Sequence, residues 1–204
     1  DSEKAIETYQ RVLELDPDQE EALGAAADLL AKLGRWKEHV QFLEKLLARA
    51  PEQPEQRREL VQRIAAATAD KLGDPKGAFR WWRRAHDEAP DEQTLADVRR
   101  ACETYGLWRE LADVLADERR RLVSAGAGVP AEPERFVALS RELSSLLERR
   151  LGDKPRAAVM LAEAIAAAPR EAAVLADLER LALELDQRPI WKQLFDSFEL
   201  VIAA

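Results

Sequence analysis

The 204-residue chain is 47% hydrophobic and 34% charged, with a formal net charge of −8; this acidic balance disfavours a general polyanion binder. No window reaches the roughly 18 uncharged apolar residues of a membrane-spanning helix. The single Cys102 excludes an intrachain disulfide framework and any multi-cysteine metal site.

In chain order, the apolar spacing predicts a helix over 2–15 and a second over 18–34, opened by Asp18 with Glu21 as a capping box and closed by Gly34. Helices over 36–49 and 55–72 follow, the longer one ending at Gly73. Asp74-Pro75, an N-cap acceptor before the residue best tolerated in a first turn, opens the helix to Glu88. Further helices are expected over 92–105, 108–123, 134–151, 155–167 and 171–185, with a shorter stretch from Pro189. Between them, 124–134 carries Gly126, Gly128, Pro130 and Pro133 and reads as a mobile connector.

These elements repeat. In 78–90, Ala78, Trp82, Ala85 and Pro90 place a small residue, a ring, a small residue and a terminator along one helical face. The same spacing recurs at Ala5, Tyr9, Val12 and Pro17, at His39, Leu43, Leu46 and Pro51, and at Ala157, Leu161, Ala164 and Pro169. A longer period overlies it: Leu72-Gly73-Asp74-Pro75 returns as Leu151-Gly152-Asp153-Lys154-Pro155, and Gly34-Arg35-Trp36 as Gly106-Leu107-Trp108, with Trp191 as a third copy. In that copy Asp186 replaces the capping glycine, so a different turn is expected there. Residues 1–17 supply only the second helix of a hairpin, and hairpins are expected over 18–51, 52–90, 91–128, 131–169 and 170–204. Neither end carries a polar cap, so a fragment of a longer protein is expected.

Residues 18–51 resemble a tetratricopeptide repeat, with Leu23, Ala26, Ala27 and Leu30 in the first helix, Gly34 at the turn, and Leu43 and Pro51 in the second. His39 departs from the usual alanine, and leucines replace the first-helix tryptophan and tyrosine. The resemblance implies an all-α superhelix of about five hairpins, some extended, whose first helices line a concave groove used for peptide or protein binding and for assembly. It also brings to mind bacterial-type arrays rich in Ala and Arg, and a cytoplasmic setting is favoured. The family's clamp for a terminal carboxylate is not matched, because Gly24 and Asp28 stand where lysine and asparagine would be wanted.

No catalytic, cofactor or metal site is expected. His39 and His86 lie in separate second helices at core positions without a partner at ligand spacing. Asp16, Asp18 and Glu20 imitate the start of a calcium loop, but Glu21 occupies its glycine position. No base accompanies Ser140, Ser144 or Ser145. The run Arg80-Trp81-Trp82-Arg83-Arg84 has the character of a single-stranded RNA surface, yet Trp82 falls in the core column of Tyr9, Leu43 and Leu161, and Trp81 aligns with Thr8, Phe42, Val114 and Met160. Packing is the expected role, and no nucleic-acid partner is assigned. Arg119-Arg120-Arg121 and Arg149-Arg150 read as cationic last turns.

Superposing the first helices aligns Asp28, Gln62, Arg100, Arg141 and Arg180, with Arg58 one turn before Gln62. Three arginines in register suit the capture of carboxylates on an acidic protein or peptide. The competing expectation pairs them within the fold, with Glu103, Glu142 or Glu184. The functional expectation is a non-catalytic interaction scaffold. The alternatives are a regulatory or sensor region of a larger enzyme and an RNA-processing scaffold. A chain built this way is expected to give a wholly helical circular dichroism spectrum and an elongated small-angle scattering profile; appreciable strand signal or a compact-sphere fit would contradict the repeat reading.

Overall fold

The computed structural model describes residues 2–49, 54–126 and 128–203; Asp1 and the terminator Pro51 lie outside them. Among the described residues there are eleven α-helices and no strand. They gather into two compact units, Asp1–Gly106 and Leu107–Ala204. The first contains α1 (Ser2–Leu15), α2 (Glu20–Lys32), α3 (Trp36–Arg49), α4 (Pro54–Ala66), α5 (Pro75–Glu88) and α6 (Glu92–Tyr105). The second contains α7 (Trp108–Ala125), α8 (Pro133–Leu146), α9 (Lys154–Ala167), α10 (Ala172–Leu185) and α11 (Arg188–Ala203). Within each unit every helix packs on its sequence neighbour, and α9 also meets α11.

In the first unit, Leu23, Ala26, Ala27 and Leu30 of α2 meet Val40, Leu43 and Leu47 of α3 and Leu60, Val61 and Ile64 of α4 in one buried cluster. The i, i+3, i+4, i+7 spacing that suggested helices is what places these residues on facing stripes. The capping chemistry is mixed. Asp74 accepts a hydrogen bond from the Gly77 N–H at 2.8 Å, with Pro75 in the first turn, as expected. Asp153 does the same for Arg156 at 3.1 Å. At α2 the expected Asp18 cap is absent: the helix starts later, at Glu20, and the Asp18 carboxylate pairs instead with Arg49 at the far end of the hairpin. A capping box does occur at α6, where Asp91 and Thr94 bond each other's backbone N–H groups.

The two longer first helices end differently from expectation. Both α4 and α8 continue as π-helical turns, Ala67–Lys71 and Leu147–Leu151. The Leu72 N–H reaches the Ala67 carbonyl at 3.1 Å, and after each turn the glycine enters the left-handed region, Gly73 at φ 69° and Gly152 at φ 70°. The widened turn puts a cation on the tryptophan that opens the preceding second helix: Lys71 Nζ lies 5.3 Å from the Trp36 ring and the Arg150 guanidinium 4.5 Å from the Trp108 ring. In the third copy Asp186 takes the same left-handed conformation, φ 46°, and its carboxylate accepts the Trp191 indole N–H at 3.0 Å. The turn thus keeps its backbone shape and gains a side-chain bond. After α7 the Gly128 N–H bonds the Val123 carbonyl and the Ala131 N–H that of Leu122, at 3.0 Å each.

His39 and His86 are both buried. His39 Nδ1 is 2.8 Å from the Ala27 carbonyl oxygen, and His86 Nδ1 is 2.9 Å from Thr94 Oγ1. Arg119 is not a last-turn cation: it is 6% exposed. Its guanidinium lies over Phe136 at 4.7 Å and donates to Ser140 Oγ at 2.8 Å and Glu163 at 2.6 Å. Ser140 in turn donates to the Phe136 carbonyl, so its hydroxyl is committed to structure.

Trp81 and Trp82 are both half-buried, so both pack as expected but Trp82 is not fully enclosed as its core column suggested. Trp82 stacks on Tyr105 with centroids 6.0 Å apart, while Trp81 carries Arg84 6.0 Å from its ring. Arg83 and Arg84 pair with Asp87 and Glu88 of their own helix. Because Trp82 keeps some solvent contact, Trp82→Ala is expected to cost about 2–3 kcal/mol, below the range for a fully buried ring. Trp81→Ala should cost less; chemical denaturation curves showing the reverse order would misplace the helical face.

Candidate functional site

The first helices of each unit carry the aligned polar column. On α4, Arg58 Nε donates to Asp97 Oδ2 at 2.7 Å, and Gln62 Nε2 donates to the same oxygen at 3.2 Å. Asp97 on α6 is only 8% exposed, so burying its charge relies on these donors. Arg100, one turn further on, stands 3.6 Å from the other Asp97 oxygen and is 71% exposed. Asp28 is paired with Arg63 of α4.

In the second unit Arg141 Nη2 lies 3.3 Å from Asp177 Oδ2, between α8 and α10. Arg180 is held more firmly: its two terminal nitrogens donate to the two oxygens of Glu148 at 2.7 and 2.8 Å, and Glu184 is 3.5 Å away. A cleft of about 320 Å³ lies here, lined by Arg141, Ser145, Glu148, Arg149, Asp177 and Arg180, with Leu161 of α9 also on its wall. Of the internal partners expected for the column, Glu184 reaches Arg180. Asp97, Asp177 and Glu148 were not anticipated. Among the described residues, no group of three or more His, Cys, Asp or Glu side chains is placed to hold a metal ion, and no helix is long and apolar enough to cross a membrane.

The tetratricopeptide repeat family model matches residues 1–64, which span α1, α2, α3 and most of α4. Over these residues the chain carries tetratricopeptide repeat sequence. No curated protein sequence matches it. Among solved structures it is similar to BtubC from P. vanneervenii, with 15% identity, a TM-score of 0.43, and coverage of 99% of this chain and 89% of that one. It is also similar to YrrB, described as a TPR protein with an unusual peptide-binding site, at 20% identity and TM-score 0.41 over 87% of this chain and 84% of that one. The TPR2AB domain of yeast Sti1, solved in complex with pHSP90, is similar at 17% identity and TM-score 0.38 over 98% and 91% of the two chains.

The charges of the α8–α10 cleft are mutually tuned. The hydrogen bond from Arg180 holds the Glu148 carboxyl below the usual carboxylate range, and the same bond raises the Arg180 guanidinium. A carboxyl depressed in the folded state adds stability that is present above its unfolded value, about 4.3, and lost as pH falls through the folded value. Glu148→Gln should therefore lower the unfolding temperature slightly at neutral pH and flatten its fall below about pH 4.5. Parallel melting curves across acid pH check this; identical slopes for the two proteins would remove Glu148 from the linkage.

Proposed function

We propose that the chain is a non-catalytic protein-interaction scaffold whose polar first-helix faces take up an acidic segment of a partner protein. The observation that carries this reading is the α8–α10 cleft, where Arg141 is half exposed and opposed to Asp177 at the long distance of 3.3 Å. An exposed pair of this kind is worth about 0–1 kcal/mol, so a ligand carboxylate exchanges for Asp177 at little cost and gains the planar guanidinium fork. Arg149 and Ser145 stand on the same cleft wall and supply further donors. Arg180, gripped by Glu148, sets the cleft's shape more than it offers a free hand. In the first unit Arg100 offers the same chemistry independently, since the Asp97 oxygen nearest Arg58 and Gln62 is already taken by them.

Fluorescence anisotropy with a panel of Asp- and Glu-rich peptides tests the proposal. The unaltered chain should bind at least one of them, weakening as salt rises. Replacing Arg100, Arg141 and Arg180 together with Glu should abolish binding and leave the helical spectrum intact, while Arg141→Glu alone should have the largest single effect within the second unit. Binding that survives the triple reversal would overturn the groove assignment; lowered thermal stability with unchanged capture would assign these arginines to the fold alone.

A further inference from the structure

The stretch after α7, a plain connector by composition, has a shape fixed by two glycines. A Cβ at Gly126 would run into the Val129 carbonyl oxygen and the Ala131 nitrogen, and Gly128 sits at φ 102°, so a side chain at either position would strain the turn. Val129 is nevertheless 67% exposed. It forms one wall of a cleft of about 570 Å³ that lies wholly within the second unit. Val123 of α7, Val129 and Pro130, Phe136 of α8, and Ala166 and Ala167 of α9 give this cleft a mainly apolar lining, at a volume typical of small-molecule pockets.

Four polar side chains share the cleft: Arg119, Arg120, Ser124 and Glu163. Arg119, almost wholly buried, and Glu163 answer each other at 2.6 Å. Arg120 is exposed and pairs with Asp117 of its own helix, a surface contact that exchanges at little cost. Ser124 lies four residues further along α7, exposed on the same face. The other charges of these helix ends are turned elsewhere: Glu118 to Arg121 and Arg135, and Glu132 to Arg135. Neither they nor Glu134, Arg170 and Glu171 line the cleft. Its lining therefore carries two cations against one carboxylate, and its accessible donors, the Arg120 guanidinium and the Ser124 hydroxyl, stand one helical turn apart.

We propose that this cleft binds a small amphipathic carboxylic acid, its carboxylate on Arg120 and Ser124 and its apolar body between Val129, Phe136 and Ala166. The site shares no residue with the α8–α10 cleft and stands whether or not that cleft takes a partner. Isothermal titration of the full chain with decanoate and with decyltrimethylammonium, both below their micellar concentrations, tests it. Decanoate should saturate one site per chain at submillimolar concentration, and the ammonium should bind at least about ten-fold more weakly. Arg120→Ala should weaken decanoate about ten-fold without weakening the ammonium. Ala166→Trp, at an exposed position of α9, should fill the cleft and abolish binding. Both positions are exposed, so an unchanged helical spectrum is expected of each variant. No saturation up to about 5 mM decanoate, equal affinity for the two charged chains, or affinity indifferent to Arg120→Ala or to Ala166→Trp would overturn the proposal. An N-acetylated apolar tripeptide acid that binds more tightly than decanoate would overturn the free acid in favour of a polypeptide C-terminus.

Discussion

Close helix contact through alanine is the constraint on which each unit rests. Ala26, Ala27, Ala65, Ala78, Ala157, Ala158, Ala164 and Ala182 are fully buried where the helices of each unit pack together. Small residues at a contact let helix axes approach the lower end of the usual 8–10 Å, whereas larger ones there would overpack. The polar pairs follow the same helix packing. Side chains on first helices one hairpin apart come within reach, and so Arg63 meets Asp28, Arg58 meets Asp97, Arg141 meets Asp177 and Arg180 meets Glu148. These pairs are consequences of the packing rather than its source. Exposed ion pairs contribute about 0–1 kcal/mol each, while burying a leucine or isoleucine contributes about 1.5–3 kcal/mol.

The hairpins, the left-handed glycine turns at Gly34, Gly73, Gly106 and Gly152, and the caps at Asp74 and Asp153 were legible because each is a local property of a few adjacent residues. The π-helical turns were not. Residues 67–71 and 147–151 keep the apolar spacing of an ordinary helix, and the widened turns coincide with a cation over Trp36 and over Trp108, contacts that lie across the packing rather than in the local sequence. One signal was available, since Lys71 and Arg150 each stand one residue before the repeated Leu-Gly-Asp. The missing cap at Asp18 has a similar cause. Its carboxylate satisfies either the helix start or Arg49, and the tertiary partner wins.

For the candidate site, register alone placed Gln62, Arg100, Arg141 and Arg180 on first helices. Glu184 beside Arg180 was legible as a same-helix neighbour, whereas Asp177 and Glu148 lie on other helices and Asp97 serves two helices at once. The packing instead joins residues 35 apart for Gln62 and Asp97, 36 for Arg141 and Asp177, and 32 for Arg180 and Glu148. That separation is the hairpin period itself, so the repeat that revealed the fold also encoded the pairing.

What separates a structural arginine from a usable one is the number of acceptors already competing for it and how dry they are. Arg119 is enclosed by Phe136, Ser140, Met160 and Glu163. Pulling it out would strand the buried Ser140 oxygen, at a cost of about 1–3 kcal/mol, so Arg119 belongs to the core although it sits in an arginine triplet that looks solvent-facing in sequence. Arg180 is intermediate, fixed by a bidentate bond but half exposed. Arg141 and Arg100 are at the other extreme, each opposed to a single carboxylate at a distance where little is gained by contact. Within each unit, such a loosely satisfied pair is worth about 0–1 kcal/mol.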